Sequence, residues 1–235
     1  MTKVAVLDDY QEVALEMADW KSLPSGTEVT VFKNHLSDEC DVSKRLAEFE
    51  VVSAMRERTP FPKRLLENLP NLKLLVTTGM RNASIDVPAA SKLGITVCGT
   101  EGLGYPTAEL TWGLIVSLAR KISEENSSSR SGSWQTTLGI GLNGKTLGTL
   151  GLGNLGSQVA RIGNAFGMNV VSWSQNLTKS KAAENEVTLV SFDELMESSD
   201  FLSIHTVLSD RTRNLIGRRE LNLMKPSAFL VNTSR

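Results

Sequence analysis

The stretch KTLGTLGLGNLG, residues 145–156, decides the fold of this chain. Its first half is a short, largely apolar run typical of a buried strand, and its second half is a GxGxxG pattern. A helix pattern follows at residues 158–166. A glycine loop between a strand and a helix is typical of the first βα turn of a Rossmann unit, which binds a dinucleotide. A strand–helix turn without a ligand is the alternative, and the flanking strand and helix argue against it.

There is a physical reason for a glycine at each of the three positions of this loop. Gly151 permits the tight turn, Gly153 lets the backbone approach a pyrophosphate, and Gly156 lets the helix pack close to the strand. The amides of Asn154 and Leu155 then face the phosphates, because the first N–H groups of a helix have no partner within it. These five residues are therefore predicted to bind the cofactor.

Strand and helix patterns alternate on both sides of the loop. In the first hundred residues we predict strands at 3–8, 28–32, 51–55, 72–78 and 95–99. In the rest of the chain we predict strands at 146–150, 169–173, 187–189, 201–205 and 228–232. Helices are predicted at 10–23, 42–49, 63–69, 87–93, 107–121, 158–166, 192–197 and 218–224, whereas the serine-rich stretch 123–134 is either an exposed helix or a loop. This alternation predicts an α/β protein with two parallel sheets.

The segment GTEGLGYPT, residues 99–107, interrupts the alternation with glycines and a proline. We interpret it as a hinge between two domains, residues 1–102 and residues 103–235. A chain of 235 residues is long enough for two modest domains that each bury a core.

Composition and charge exclude several classes of function. The 25 basic and 26 acidic residues give a net charge of -1, which argues against a nucleic-acid partner or an acidic membrane surface. The most apolar helix pattern, at 108–119, contains Glu109 and is too short to span a bilayer. Cys40 and Cys98 lie far apart, in no metal-binding spacing, and fit the reduced thiols of a cytosolic protein. We therefore expect a soluble, cytoplasmic protein without a metal site.

The end of the second strand of the second half bears on the choice of cofactor. NAD-binding Rossmann units place an acidic residue there, about 20 positions after the glycine loop. Here that position is Ser174, so no carboxylate is available to bind the adenosine ribose. Ser174, Asn176 and Lys179 could instead hydrogen-bond a 2′-phosphate. NAD(H), NADP(H) or both remain open, and because this loop contains no arginine, Ser174 could equally do no more than end a strand.

Five motifs occur in order along the chain. They are TTGMRNASID (77–86), TAELTWGLIVSLAR (107–120), GKTLGTLGLGNLG (144–156), DFLSIHTVLSDRTRNLIG (200–217) and LMKPSAFLVNTSR (223–235). Together they resemble the D-isomer-specific 2-hydroxyacid dehydrogenase family, which includes reductases of the phosphoglycerate, glyoxylate and hydroxypyruvate type. The resemblance covers most of the chain. It implies a flavodoxin-like substrate domain followed by a Rossmann NAD(P)-binding domain, with the reaction in the cleft between them.

The resemblance also implies residues on the substrate side. The substrate-carboxylate loop falls on Gly79, Met80 and Arg81, whose backbone N–H groups can bind an anion as a nest does. The family pattern has a second glycine where this chain has Arg81, which either adds a positive charge for an anionic substrate or repositions the loop. The catalytic arginine falls on Arg235, whose forked donors can hold a carboxylate and polarise a carbonyl oxygen together.

On the cofactor side, His205 has two interpretations. It ends a predicted strand at the carboxyl edge of the sheet, where ligands of α/β folds bind, and a histidine there could transfer a proton. The resemblance instead implies a place for His205 beside the cofactor, and we prefer that assignment. The predicted cofactor-binding residues are Gly151, Gly153, Asn154, Leu155, Gly156, Ser174, Gln175, Asn176, His205, Thr206, Val207, Asn232, Thr233 and Ser234.

The resemblance implies an oxidoreductase that transfers a hydride between a nicotinamide and C2 of a small 2-hydroxy or 2-keto acid. It also implies a homodimer through helix 107–121, although that helix could equally be buried within its own chain. The family's glutamate and histidine lie downstream of Arg235, so we expect the 235-residue chain to be truncated at its C-terminal end and inactive alone. The alternative from another class is a non-catalytic dinucleotide-binding or regulatory protein.

Overall fold

The computed structural model describes residues 1–234. The chain divides into two compact units, the first formed by Met1–Gly102 and the second beginning at Leu103. Each unit contains one five-stranded sheet in which all neighbouring strands are parallel. The predicted α/β class with two parallel sheets is therefore confirmed.

The first unit has the strand order β2-β1-β3-β4-β5. Its elements are β1 (Thr2–Val6), a 3-10 helix (Trp20–Ser22), β2 (Thr27–Val31), α1 (Glu39–Leu46), β3 (Val51–Ala54), α2 (Lys63–Glu67), β4 (Leu74–Thr77), α3 (Val87–Lys92) and β5 (Thr96–Gly99). This order is that of flavodoxin-like folds. The core is built from strand side chains that are fully buried, such as Ala5, Val52 and Leu75, together with Leu46 and Phe61 from the connections.

Side-chain caps determine where two helices of the first unit begin. The Asp38 carboxylate accepts hydrogen bonds from the amides of Cys40 and Asp41 at the start of α1. The Asp86 carboxylate accepts one from an amide in the first turn of α3. At the other end of α3, Gly94 has a φ of +76°, which only glycine adopts without strain. Because the caps satisfy amides that the helix itself leaves unpaired, even these short helices have defined ends.

The second unit has the strand order β10-β9-β6-β7-β8. Its elements are α4 (Pro106–Arg120), α5 (Ile122–Arg130), β6 (Thr146–Leu150), α6 (Asn154–Ala165), β7 (Asn169–Trp173), α7 (Lys179–Ala183), β8 (Thr188–Leu189), α8 (Phe192–Ser198), β9 (Phe201–Ile204), α9 (Arg218–Leu223) and β10 (Phe229–Asn232). This is the Rossmann arrangement, with β6 as its first strand. The order reverses between β6 and β9, and ligands of open α/β sheets bind at the carboxyl ends of strands at such a switch point.

Helix α4 is the longest helix of residues 1–234. Its inner face is buried, and the indole Nε1–H of Trp112 donates a hydrogen bond to the Val159 carbonyl of α6 at 3.2 Å. Its other face carries Leu110, Leu114 and Leu118, which are exposed. The helix is therefore buried within its own unit on one side only. Across the described residues, no helix combines the length and the apolar character needed to cross a membrane.

The predicted helix at 10–23 is wrong. The structure has only a 3-10 turn, Trp20–Ser22, in that range. Asp8 and Glu12 have φ values of +58° and +60°, which no right-handed helix contains. The buried Asp9 carboxylate accepts hydrogen bonds from two amides further along, and so satisfies the backbone in place of helical bonds.

Three further differences concern helices of the second unit. The stretch 123–134, for which the sequence allows an exposed helix or a loop, is helical over most of its length as α5, which buries no residue. Helix α6 begins at Asn154, earlier than its apolar pattern predicted, because the first turn carries the glycine loop. Helix α7 was not predicted; it begins after Thr178, whose hydroxyl accepts the hydrogen bond of a first-turn amide.

The stacked rings of Phe201 and Phe229, with centroids 5.2 Å apart, generate a prediction of stability. Phe201 is fully buried, so Phe201→Ala removes its packing and leaves a cavity. We expect the free energy of unfolding, measured by chemical denaturation, to fall by about 3–5 kcal/mol. Leu138→Ala is the control, because Leu138 is 90% exposed and should change stability by less than about 0.5 kcal/mol. Equal effects of the two substitutions would contradict this packing.

Candidate functional site

The glycine loop lies at the carboxyl edge of the second sheet, between β6 and α6. Gly151 has a φ of +100°, and its amide donates a hydrogen bond to the Trp173 carbonyl at 2.8 Å. A Cβ atom on Gly151 would lie 2.9 Å from the carbonyl oxygen of His205. Both the backbone angle and the lack of space therefore require glycine here, and the turn brings β6 against the end of β9.

The other two glycines of the loop differ from each other. A Cβ atom on Gly156 would overlap the carbonyl oxygen of Gly151, so Gly156 is what lets α6 pack against the end of β6. Gly153 has a φ of −83°, which any residue adopts, and a Cβ atom there would meet nothing within 4 Å. No contact among residues 1–234 therefore requires glycine at 153. The space beside its backbone is open to a ligand.

The N-terminus of α6 presents unpaired amides to this space. Its N-cap residue is Gly153, and no side chain caps the helix in the described part of the chain. Ser157 is the first residue whose amide bonds back to the N-cap carbonyl. The amides of Asn154, Leu155 and Gly156 therefore precede the first intrahelical bond, at the positive end of the helix dipole. Such an end binds anions, and phosphates in particular.

A cleft of about 370 Å³ lies beside the loop. From the predicted cofactor-binding set it is lined by Gly151, Gly153, Ser174, Gln175, Asn176, His205, Thr206 and Val207. The sequence patterns did not identify the other lining residues, which are Leu152, Trp173, Ser209, Arg211, Thr212 and Leu215. Most of the missed residues belong to the segment between β9 and α9, where the motif at residues 200–217 contributed only His205, Thr206 and Val207 to the predicted set.

A second cleft, of about 380 Å³, lies at the carboxyl ends of β6, β9 and β10. Thr206 lines both clefts, and Asn232 and Ser234 line the second. The Ser234 hydroxyl donates a hydrogen bond to the Ile204 carbonyl at 2.6 Å, which ties the end of β10 to β9. Thr233 differs from its neighbours, because its hydroxyl lies 2.9 Å from that of a threonine in α4.

His205 is held between these strands as a neutral imidazole. Its Nε2 lies 2.9 Å from the Ser203 hydroxyl, and its Nδ1 is buried with no hydrogen-bond partner among residues 1–234. Burial lowers the pKa of His205 to about 4, from an ordinary value of 6.5. At neutral pH this side chain carries no proton to donate as an imidazolium. Its environment therefore favours a place beside the cofactor over proton transfer.

The substrate side of the site is described only in part. Arg235, the predicted catalytic arginine, lies outside the described residues. In the predicted carboxylate loop, Gly79 has a φ of +98°, and its amide donates a hydrogen bond to the Thr100 hydroxyl at 2.9 Å. That amide is therefore occupied, whereas Met80 and Arg81 are exposed.

Arg56 is a further cation at the carboxylate loop. Its guanidinium lies against Gly79, where a Cβ atom would overlap it. The Asn82 side-chain amide donates hydrogen bonds to the Arg56 carbonyl at 2.6 Å and to the Thr77 hydroxyl at 2.9 Å, which joins the loops after β3 and β4. An anion at this loop would thus meet an arginine that comes from the neighbouring strand.

His35, an exposed residue of the loop after β2, pairs with the buried Asp8. Its side chain is 32% exposed, and its Nδ1 lies 3.0 Å from a carboxylate oxygen of Asp8, which is 2% exposed. The other Asp8 oxygen accepts a hydrogen bond from the Thr59 hydroxyl at 2.7 Å, and the Asp8 carbonyl accepts one from Arg58 at 2.6 Å. Asp8 therefore anchors the loops that follow three strands of the first sheet.

The sequence of this chain is similar to those of known proteins. The family model described as "D-isomer specific 2-hydroxyacid dehydrogenase, NAD binding domain" matches residues 112–235. A glyoxylate reductase of Thermococcus litoralis is 40% identical over 185 residues, which are 74% of this chain and 55% of that protein. A D-3-phosphoglycerate dehydrogenase of Methanocaldococcus jannaschii is 34% identical over 239 residues, 100% of this chain and 44% of that protein. The chain thus spans about half the length of these relatives.

Solved structures show the same fold. A phosphoglycerate oxidoreductase from Vibrio cholerae has a TM-score of 0.93 at 38% identity, covering 100% of this chain and 76% of that one. A D-lactate dehydrogenase from Aquifex aeolicus, solved as a complex with NAD and lactic acid, has a TM-score of 0.76 at 27% identity, covering 99% of this chain and 69% of that one. Both comparisons include the two units of this chain.

The buried imidazole of His205 generates a prediction of pH dependence. Because the pKa of His205 is about 4 in the folded chain and about 6.5 when unfolded, only the unfolded chain binds this proton between those values. The stability is therefore complete above about pH 6.5 and is lost as pH falls towards 4, by roughly 3 kcal/mol at most. Urea denaturation across this range should show that His205→Gln lacks this part of the pH dependence.

A direct titration is the control. The chain has two histidines, so the imidazole signals in an NMR spectrum are assigned by their loss in His205→Gln. The His205 signal should titrate with a midpoint near 4. A midpoint near 6.5 would contradict the buried, neutral state.

Proposed function

We propose that this chain, which belongs to the D-isomer-specific 2-hydroxyacid dehydrogenase family, binds NAD(H) or NADP(H) in the cleft of its second unit. For the whole protein we propose hydride transfer between the nicotinamide and C2 of a small 2-hydroxy or 2-keto acid. One observation carries the proposal: the open space at Gly153 faces the uncapped N-terminus of α6. A folded loop that needs glycine at 151 and 156 for packing has no such need at 153, but a dinucleotide does.

The residues present fit a dinucleotide along its whole length. The amides of Asn154 and Leu155 are suited to the pyrophosphate, and Ser174 and its neighbours, at the end of β7, to the adenosine ribose. The nicotinamide end belongs to the residues that follow β9 and β10, including Thr206 and Asn232. When bound, the nicotinamide supplies or accepts the hydride. No metal is needed in this scheme.

The substrate's carboxylate is assigned to the loop after β4. The amides of Met80 and Arg81, which are exposed residues, and the Arg56 guanidinium can share it, because the Gly79 amide is already bonded to Thr100. Arg235 is proposed to hold the substrate as well, since forked donors can bind a carboxylate and polarise the adjacent carbonyl. His205 does not serve as the proton donor, because it is neutral and its Nε2 is engaged by a serine.

We further propose that the protein acts as a cytoplasmic homodimer. The exposed leucines of α4 recur every fourth residue, and so form one apolar strip along the helix. Such strips mark sites of association more often than solvated surfaces. Both cysteines, Cys40 and Cys98, are free and exposed, which suits a reducing compartment.

The cofactor site is tested by a matched pair of glycine substitutions. Gly153→Ala places a methyl group in open space, so stability should change by no more than about 1 kcal/mol. The same methyl group obstructs the pyrophosphate and its charge-assisted hydrogen bonds, so affinity for NADH or NADPH should fall about tenfold or more. Gly156→Ala should lower stability as well as affinity, because its methyl group overlaps backbone. Calorimetric titration and thermal unfolding measure the two quantities.

Two outcomes would count against the proposal or narrow it. Unchanged affinity in Gly153→Ala would mean that the cofactor does not approach the loop. Oxidation of the bound reduced cofactor by glyoxylate or hydroxypyruvate would favour a reductase over a dinucleotide-binding or regulatory protein.

The dimer is tested by a charge on the apolar strip. Leu114→Lys should convert a species of about twice 25.6 kDa into a monomer in sedimentation experiments, since a buried lysine at an interface has no partner. Leu221→Lys is the control, because Leu221 is an exposed leucine of α9, away from the strip. A wild-type chain that sediments as a monomer at all concentrations would contradict the dimer.

A further inference from the structure

The cleft beside the glycine loop contains one residue with a permanent charge. Of the described residues that line it, Arg211 is cationic and none is a carboxylate. Arg211 is exposed, and it has no ion-pair partner in the described part of the chain. An unpaired guanidinium at the rim of a ligand cleft is available to an anionic group of the ligand.

The segment that carries Arg211 is held by its own hydrogen bonds. The Thr212 hydroxyl donates to the Val207 carbonyl at 2.7 Å and accepts from the Ser209 amide at 2.8 Å. The Arg213 amide bonds back to the Ser209 carbonyl at 2.8 Å. These bonds form a tight turn around residue 211. The backbone of Arg211 is therefore fixed beside the cleft even though its side chain is exposed.

The uncharged residues at the end of β7 determine which anionic group can bind beside Arg211. A Rossmann unit that binds NAD holds the adenosine ribose with a carboxylate at the place of Ser174, and that carboxylate repels a 2′-phosphate. Ser174 and Asn176 line the same cleft as Arg211 and offer hydrogen-bond donors instead. A cleft with donors, a cation and no carboxylate is complementary to a phosphate. A guanidinium in particular binds phosphate through two parallel hydrogen bonds.

We infer that Arg211, together with Ser174 and Asn176, binds the adenosine 2′-phosphate and makes this chain prefer NADP(H) over NAD(H). The inference rests on the proposed function, since it concerns the cofactor of that same site. It differs from the expectation drawn from the β7 loop alone, because the cation comes from the segment between β9 and α9. Arg211 is thus a residue that determines cofactor specificity and has no part in hydride transfer.

The test compares two arginines of one turn. Arg211→Ala and Arg213→Ala remove the same charge from residues two positions apart, but only Arg211 lines the cleft. Dissociation constants for NADPH and NADH are measured by tryptophan fluorescence, because Trp173 also lines the cleft. The wild-type chain should bind NADPH about tenfold more tightly than NADH, as expected for charge-assisted hydrogen bonds to a phosphate. Arg211→Ala should abolish this preference, whereas Arg213→Ala should keep it.

A second variant tests the preference from the opposite direction. Ser174→Asp introduces the missing carboxylate, so it should weaken NADPH binding and leave or improve NADH binding. Thermal unfolding of all three variants checks that they fold; Arg211 and Arg213 are exposed and should not alter the melting temperature.

The outcomes separate this inference from the proposed function. Equal binding of NADH and NADPH by the wild-type chain, or a loss of preference in Arg213→Ala as large as in Arg211→Ala, would overturn the inference and leave the proposed function intact. A wild-type chain that binds neither cofactor would overturn both. A salt-dependent preference for NADPH that disappears only in Arg211→Ala would support the inference.

Discussion

The close approach of α6 to the ends of β6 and β9 is the constraint on which the second unit depends. Gly156 meets the Gly151 carbonyl and Gly151 meets the His205 carbonyl, at distances that no Cβ atom allows. The two glycines therefore determine where the helix begins and which carbonyls face it. Gly153, between them, takes no part in this packing. Gly153 lines the cleft, and the amides that follow it in α6 precede the first intrahelical hydrogen bond.

The sequence patterns that predicted the fold are the apolar patterns of buried strands and helices. The ten strands of residues 1–234 were all located, and the bounds predicted for β6 and β7 are those observed, because buried parallel strands are continuous apolar runs. The helix at 10–23 failed for a local reason. Its apolar spacing is real, but two left-handed residues and the Asp9 carboxylate give the backbone another way to satisfy its hydrogen bonds. Hydrophobic periodicity carries no information about such competition.

The candidate site could be predicted only where its residues are consecutive. The glycine loop and the residues after β7 and β9 form short motifs, and most of them line one cleft. Arg211 was not predicted, because its motif, residues 200–217, does not show which of its side chains line the cleft. The pairing of His35 with Asp8 was missed because the two residues follow different strands. What brings these side chains together is the strand order, which follows from the fold as a whole.

Two sources of positive charge at the cleft suit the same kind of ligand. The partial positive charge of the α6 amides and the guanidinium of Arg211 both favour phosphates, at separate points along a dinucleotide. His205 lines the same cleft as Arg211, and burial keeps its pKa near 4, so at neutral pH it adds no second positive charge there. In the proposed arrangement, positive charge is thus placed at points that suit the phosphates of a dinucleotide.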